Sequence, residues 1–408
     1  MDFNTRLLHD RFAPDKTTGA TLTPIYQVSA FARESAEELE RVFNNKSPGF
    51  AYTRISNPTV SAFEERINAL EKGLGAVACS SGMAAVSMAL MNILRAGDEV
   101  IASSGLFGGT IDLFGDLGEF GITTRFTKSA TPEEIEPLIN EKTKVIFAEL
   151  IGNPGLEVID IAAVSELAHS NGVPLILDST TATPYLVNPI EFGADIVIHS
   201  SSKYINGSGN SISGIIVDSG NFKWDYEKYP GLAEYKKYGK LAYLAKLRNG
   251  IWRNIGGCLA PMNAFMNCVG LETLGLRMER CCKNALELAR FFEDSREVEV
   301  NYPALESSGF HELCKRQLKG SGGAIITIRA GSRERAFKLI NALKLATNAT
   351  NIGDVRTLVI HPASTIYAHS SEEQKRSAGV FEDTIRVSVG IEDIEDLIDD
   401  FDRAIKSL

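Results

Sequence analysis

Lys203 stands in I-H-S-S-S-K-Y-I-N-G-S-G, directly after an apolar run. A lysine at a strand-to-loop junction, sheltered from water, loses its proton readily and becomes a nucleophile toward a carbonyl carbon. Ser200 and Ser202 place hydroxyls beside it that suit a phosphate. A solvated surface lysine fits the same local pattern, so the reading depends on its company. Asp178 ends the run P-L-I-L-D-S-T. A carboxylate at the end of a buried strand is costly unless paired. A protonated pyridine nitrogen is one such partner, and the pairing makes the ring an electron sink. Capping a loop is the alternative role.

Ser81-Gly82-Met83 offers backbone N–H groups at a helix start, with Gly82 permitting close approach and Ser81 adding a hydroxyl. That arrangement binds phosphate, although a plain strand-to-helix turn has the same text. No G-x-G-x-x-G stands there, so a nicotinamide fingerprint is not supported. Tyr52 and Arg54, in A-Y-T-R-I-S-N-P-T, lie two apart on an extended arm and point to one side. They can close over a phosphate in their own subunit or a neighbouring one, with Arg54 giving bidentate contacts. Arg386 lies inside the apolar run T-I-R-V-S-V-G. A buried arginine wants a carboxylate, which an amino-acid substrate or an internal salt bridge would supply.

These residues need a rigid frame. Strands are predicted at A-V-A-C-S-S-G, E-V-I-A-S, T-T-R-F-T, K-V-I-F-A-E-L, P-L-I-L-D-S, D-I-V-I-H-S and I-S-G-I-I-V-D. Helices such as E-E-I-E-P-L-I and D-I-A-A-V-S-E-L-A-H separate the middle ones. Short apolar strands alternating with helices indicate an α/β fold, with a mostly parallel sheet covered on both faces. Such sheets bind ligands at the carboxyl ends of their strands. Beyond about residue 255 long helices lead to A-I-I-T-I and to a last helix with Ile394, Leu397, Ile398, Phe401 and Ile405 on one face. The expected organisation is an N-terminal arm (1–57), a large domain (58–255) and a smaller C-terminal α/β domain (256–408).

The 408 residues carry a formal net charge of −10, which argues against a nucleic-acid or anionic-membrane partner. No apolar run reaches membrane-spanning length, and M-D-F-N-T-R-L-L-H-D has no apolar signal core, so a cytoplasmic protein is expected. The six cysteines form no C-x-x-C pair and the six histidines are scattered, so no metal site is argued.

Taken together, A-Y-T-R-I-S-N-P-T, S-S-G-M-A-A, D-S-T-T-A-T-P-Y, H-S-S-S-K-Y-I-N-G, V-I-H-P-A-S-T and I-R-V-S-V-G-I-E resemble the cysteine/methionine-metabolism family of pyridoxal-phosphate enzymes of fold type I. The resemblance runs from about Thr21 to the C-terminus. It implies that Lys203 holds pyridoxal 5'-phosphate covalently and shuttles protons, and that Asp178 pairs the pyridine nitrogen with Thr180 beside it. By the same resemblance Ser81, Gly82, Met83, Ser200 and Ser202 bind the phosphate, joined by Tyr52 and Arg54 of a second subunit. Asn153 would meet the ring hydroxyl, and Arg386 the substrate carboxylate, with Asn153 and Asn351 also on the substrate side. A shared site of this kind makes a homodimer the minimum unit, and the family is usually tetrameric.

Within the family the text is most similar to O-acetylhomoserine sulfhydrylases. Asn351, in N-I-G-D-V-R-T-L-V-I-H-P-A-S-T, stands where lyases carry serine, and Gly109 where methionine γ-lyases carry cysteine. The resemblance implies replacement of the acetoxy group of O-acetylhomoserine by sulfide, in methionine biosynthesis. The alternative is a γ-lyase acting on methionine, cystathionine or homocysteine, or a γ-synthase using another acyl-homoserine or nucleophile, and one departure bears on the choice. Phe107 stands where the family has a tyrosine stacked on the ring, which keeps the stacking surface and loses a proton donor; this leans away from a lyase, or the proton comes from Tyr52 or Lys203 instead. Ser208 also replaces a common histidine.

Overall fold

In the first half of the chain, strands that are mostly apolar without alternation fold into a sheet buried on both sides, except at the polar edge strand Thr123–Thr127, which is largely exposed. The computed structural model describes residues 1–408 except Phe12 and Ser104. Strands β1 (Gly75–Cys79), β2 (Glu99–Ser103), β3 (Thr123–Thr127), β4 (Thr143–Glu149), β5 (Leu175–Asp178), β6 (Ile196–His199) and β7 (Gly214–Asp218) form one sheet, in the order β1-β7-β6-β5-β4-β2-β3. Successive residues of a strand enter opposite cores. Ile146, Leu175, Leu177 and Val197 pack on one face, while Val145, Phe147, Ile176 and Ile198 pack on the other. Burial of both faces is what an unbroken apolar run requires.

β2–β3, β2–β4, β4–β5 and β5–β6 pair in parallel, whereas β7 runs antiparallel to both β6 and β1. The carboxyl ends of β1, β2, β4, β5 and β6 therefore share one edge, where ligands bind in such sheets. Ser81, Glu149, Asp178 and Lys203 all lie at or just beyond that edge.

A second sheet is built from β8 (Glu299–Asn301), β9 (Ile325–Arg329), β10 (Thr347–Asn348), β11 (Leu358–Ile360) and β12 (Thr384–Ser388), in the order β10-β11-β12-β9-β8. Helices Leu274–Asp294 and Ile394–Lys406 contribute Leu288, Phe292, Leu397 and Phe401 to its core. In the last helix Leu397, Phe401 and Ile405 are buried and Ile394 and Ile398 pack beside them, as their spacing predicts.

The E-E-I-E-P-L-I segment differs from expectation. Its α-helix covers only Pro132–Ile135 and then tightens into a 3₁₀ turn, Glu136–Leu138. Pro137 has no N–H to continue the ladder. β8, β10 and β11 were not predicted, being two or three residues long.

In the arm, Ser35 caps helix Ala36–Phe43 by accepting from the Glu38 N–H. Among the described residues of 1–57 only Leu7, Val42 and Asn57 are buried. Among the described residues, no helix is long and apolar enough to cross a membrane.

Candidate active site

A cavity of about 240 Å³ opens at the carboxyl edge of the first sheet. Lys203, Asp178, Thr180, Ser81, Gly82, Met83, Ser200, Ser202, Phe107, Asn153, Asn351 and Arg386 line it together. Tyr52 and Arg54 do not. Tyr52 is 39% exposed, the Arg54 guanidinium lies 5.4 Å from its ring centroid, and Arg54 Nη1 donates to the Arg253 carbonyl at 2.7 Å.

Lys203 sits in a tight turn after β6, its N–H donating to the Ser200 carbonyl at 3.1 Å and its carbonyl accepting from Gly207 at 2.8 Å. The Nζ donates to Asn351 Oδ1 at 2.6 Å. Burial, reinforced by the Arg386 charge, pulls the amine down to about 8 from 10.5. A cation in a dry site surrenders its proton more easily. Asn351 reaches this turn because Gly353, at φ +72°, lets its loop press on Tyr204; a Cβ there would lie 2.5 Å from the Tyr204 nitrogen.

Asp178 closes β5 and accepts from the Thr180 N–H at 2.9 Å, while the Thr180 hydroxyl accepts from the Ser200 N–H at 2.7 Å. One threonine thus ties the carboxylate to the loop that leads to Lys203. Burial pushes the Asp178 carboxyl up, against the pull of the Thr180 hydrogen bonds and the nearby His199. A cation placed against it would restore the charged form.

Ser81 caps helix Gly82–Met91, accepting from the Ala84 N–H at 3.0 Å. The first-turn N–H groups of Gly82 and Met83 have no carbonyl partner within the helix, as at any helix start. Gly82 is required because a Cβ would sit 2.6 Å from Ser200 Cβ and Oγ. The Ser202 hydroxyl is already engaged, donating to the Ser213 carbonyl at 3.0 Å and accepting from its N–H at 2.8 Å.

Arg386 lies in β12 and is buried. Its Nη1 donates to Asn153 Oδ1 at 3.2 Å and its Nη2 to the Asn351 carbonyl at 3.0 Å, while Nε has no partner. Among the described residues no carboxylate pairs with it, so the internal salt bridge is not what holds it. Burial lowers it to about 10.

Glu149, which the sequence reading passed over, also lines the cavity. It ends β4 in register with Asp178 and accepts from the Phe107 N–H at 2.6 Å. Burial and the Asp178 charge push its carboxyl well above the usual range. It carries the same signal as Asp178, a carboxylate closing an apolar strand. Thr110, Thr181, Ile212, Thr350, Ile352 and Ile366 complete much of the wall, and their types carry no chemical signal in the sequence.

One cavity thus offers a low-pKa amine, an anion-binding helix start, a carboxylate pair and a buried arginine with a free donor. This set suits a phosphate-bearing carbonyl compound together with an amino acid. The profile of Cys/Met metabolism PLP-dependent enzymes matches residues 4–406. The chain is 42% identical to the homocysteine synthase of Schizosaccharomyces pombe, over 99% of this chain and 98% of that one. It is 40% identical to the O-acetyl-L-homoserine sulfhydrylase of Leptospira meyeri, over 98% and 96% of the two chains. A Campylobacter jejuni chain solved with N'-pyridoxyl-lysine-5'-monophosphate superposes with a TM-score of 0.93 and 32% identity, covering 99% of both chains. The chain therefore belongs to the pyridoxal-phosphate-dependent enzymes of cysteine and methionine metabolism.

Proposed function

We propose that this protein replaces the acetoxy group of O-acetyl-L-homoserine by sulfide, giving L-homocysteine and acetate. The observation that carries the reading is Arg386, a buried guanidinium in the cavity whose Nε lacks a partner and which has no carboxylate beside it among the described residues. An α-amino acid brings that carboxylate within reach of Lys203. The names of the relatives supply the reaction.

The residues fit pyridoxal phosphate. Asp178 is raised by burial and so suits a cationic ring nitrogen. The start of helix Gly82–Met91, with Ser81 and Ser200, suits a phosphate. When bound, the cofactor supplies an electron sink that makes the Cα and Cβ protons removable and lets a γ-substituent depart. Lys203, whose burial makes its proton easier to surrender, holds the cofactor and moves those protons. Asn351 accepts from Lys203 Nζ and orients it, while Asn153 and Arg386 bind at the substrate side. Thr180 holds Asp178 in place and Phe107 covers a ring face. Acetate leaves with the C–O electron pair and needs no proton, so a phenylalanine suffices at position 107; a thiolate leaving group would need one.

Tyr52 and Arg54 lie outside the cavity in the single chain, and we assign them to the phosphate of a second copy. The assembly is then a homodimer with shared sites, paired into a tetramer. We assign the protein to the cytoplasm, and to an arm (1–57), a cofactor domain (58–255) and a C-terminal domain (256–408).

The test is to incubate the purified holoenzyme with O-acetylhomoserine, with and without sulfide, and to assay homocysteine and 2-oxobutanoate. Sulfide-dependent homocysteine is expected. Oxobutanoate as the sole product would replace this reading by an eliminating lyase.

A further inference from the structure

The peptide group joining Leu106 to Phe107 is held from both sides. Its N–H donates to Glu149 Oε1 at 2.6 Å, and its carbonyl accepts from the Tyr367 hydroxyl at 2.5 Å. The same two side chains meet Asn153. The Asn153 backbone helps to hold the Glu149 carboxyl down, and the Tyr367 hydroxyl reaches the Asn153 carbonyl at 3.4 Å. Glu149 comes from the end of β4, and Tyr367 follows the 3₁₀ turn Pro362–Ser364 of the second half. Tyr367 is fully buried.

Phe107 is the N-cap of helix Gly108–Glu119 and makes no side-chain capping bond. A benzyl side chain has no polar atom to fix its tilt, so its placement depends on its backbone. We propose that Glu149 and Tyr367 are positioning residues, a clamp on the Leu106–Phe107 peptide that sets the Phe107 ring against the cofactor and fixes Asn153 beside it. The clamp explains how a stacking residue without a hydroxyl is kept in register. A reacting geometry shifted by about 1 Å can lose a hundredfold in rate. The proposal rests on the reading that Phe107 covers the cofactor, and the experiment separates the two.

The experiment compares holoenzymes of Tyr367→Phe, Glu149→Gln, the double variant, Phe107→Ala and Tyr229→Phe. The Tyr229 hydroxyl donates to the Lys144 and Gly172 carbonyls, away from the cavity, so Tyr229→Phe controls for loss of any buried phenol bond. The readouts are kcat, KM and the visible circular dichroism of the bound cofactor. Tyr367→Phe and Glu149→Gln should each lower kcat about tenfold with KM within about twofold. Both should move the cofactor band in the same direction as Phe107→Ala. Because both act on one peptide group, the double variant should fall well short of the product of the two losses. Tyr229→Phe should leave the band in place. If Phe107→Ala moves the band while Tyr367→Phe and Glu149→Gln behave like Tyr229→Phe, the clamp is wrong. Independent, multiplying losses in the double variant would overturn it too. If Phe107→Ala itself leaves the band unmoved, the covering role of Phe107 falls and the clamp falls with it.

Discussion

The cavity floor and the N-terminal arm are built on opposite terms. On the floor the polar side chains are tied to one another within the chain, Lys203 to Asn351, Asp178 to Thr180, Thr180 to Ser200 and Arg386 to Asn153, with Arg386 Nε left free. The arm leaves Leu22, Ile25, Tyr26, Val28, Leu39 and Phe43 exposed, and Tyr52 and Arg54 reach outward beside one another. Apolar side chains gathered on one exposed segment are the mark of a surface that another chain covers. The floor is thus assembled within one chain, whereas Tyr52 and Arg54 stand outside the cavity, Arg54 donating to the Arg253 carbonyl. This contrast underlies the proposed sharing of sites.

The largest expected effect breaks the floor. Lys203→Ala should lower turnover by at least about a thousandfold, since it removes the amine we assign as both anchor and proton carrier. Steady-state kinetics, with mass spectrometry of borohydride-treated protein, would check both losses. Next comes Arg386→Leu, which should lower kcat/KM for O-acetylhomoserine about a hundredfold by removing a charged hydrogen-bond donor to the substrate. Cofactor content measured by absorbance should stay near that of the parent protein. Arg54→Ala acts on the arm and should weaken cofactor affinity about tenfold, as loss of one phosphate contact does. Equilibrium titration of the apoprotein with pyridoxal phosphate reads that change.

The smallest perturbation is pH alone. Lys203 is lowered to about 8 from 10.5, so its attacking, neutral fraction grows with pH up to about 8 and then saturates. Attachment of pyridoxal phosphate to the apoprotein should therefore accelerate about tenfold per pH unit below that point and level off above it. An amine with an unshifted value would keep accelerating toward 10.5. Stopped-flow absorbance distinguishes the two profiles.

Much of the floor was legible because an apolar strand ending in a polar or charged residue is a strong local pattern. Asp178 and the S-S-S-K turn both announced themselves that way. Glu149 closes K-V-I-F-A-E-L in the same manner, and its register with Asp178 appears only once the two strands pair. Tyr367 could not have been found, because its hydroxyl partner Leu106 lies 261 positions away and a tyrosine after P-A-S-T-I carries no local signal. Strands β8, β10 and β11 were lost for a related reason, since two or three residues show no period and are fixed only by their neighbours in the sheet. Tyr52 and Arg54 were picked out as residue types, but nothing in a single chain brings them to the cavity.

Mixing two impaired proteins tests that division directly. Lys203→Ala subunits lack the floor amine and keep the arm, whereas Arg54→Ala subunits keep the floor and lack the arm's guanidinium. With cofactor well below saturation, where Lys203→Ala is inactive and Arg54→Ala keeps about a tenth of the parent activity, subunit exchange should create mixed dimers in which one of the two sites is native. Activity should then recover toward about a quarter of the unmutated enzyme, from random pairing with one good site in each mixed dimer. Exchange without any recovery, with mixed dimers verified by native mass spectrometry, would show that Arg54 serves its own chain and would contradict the shared site.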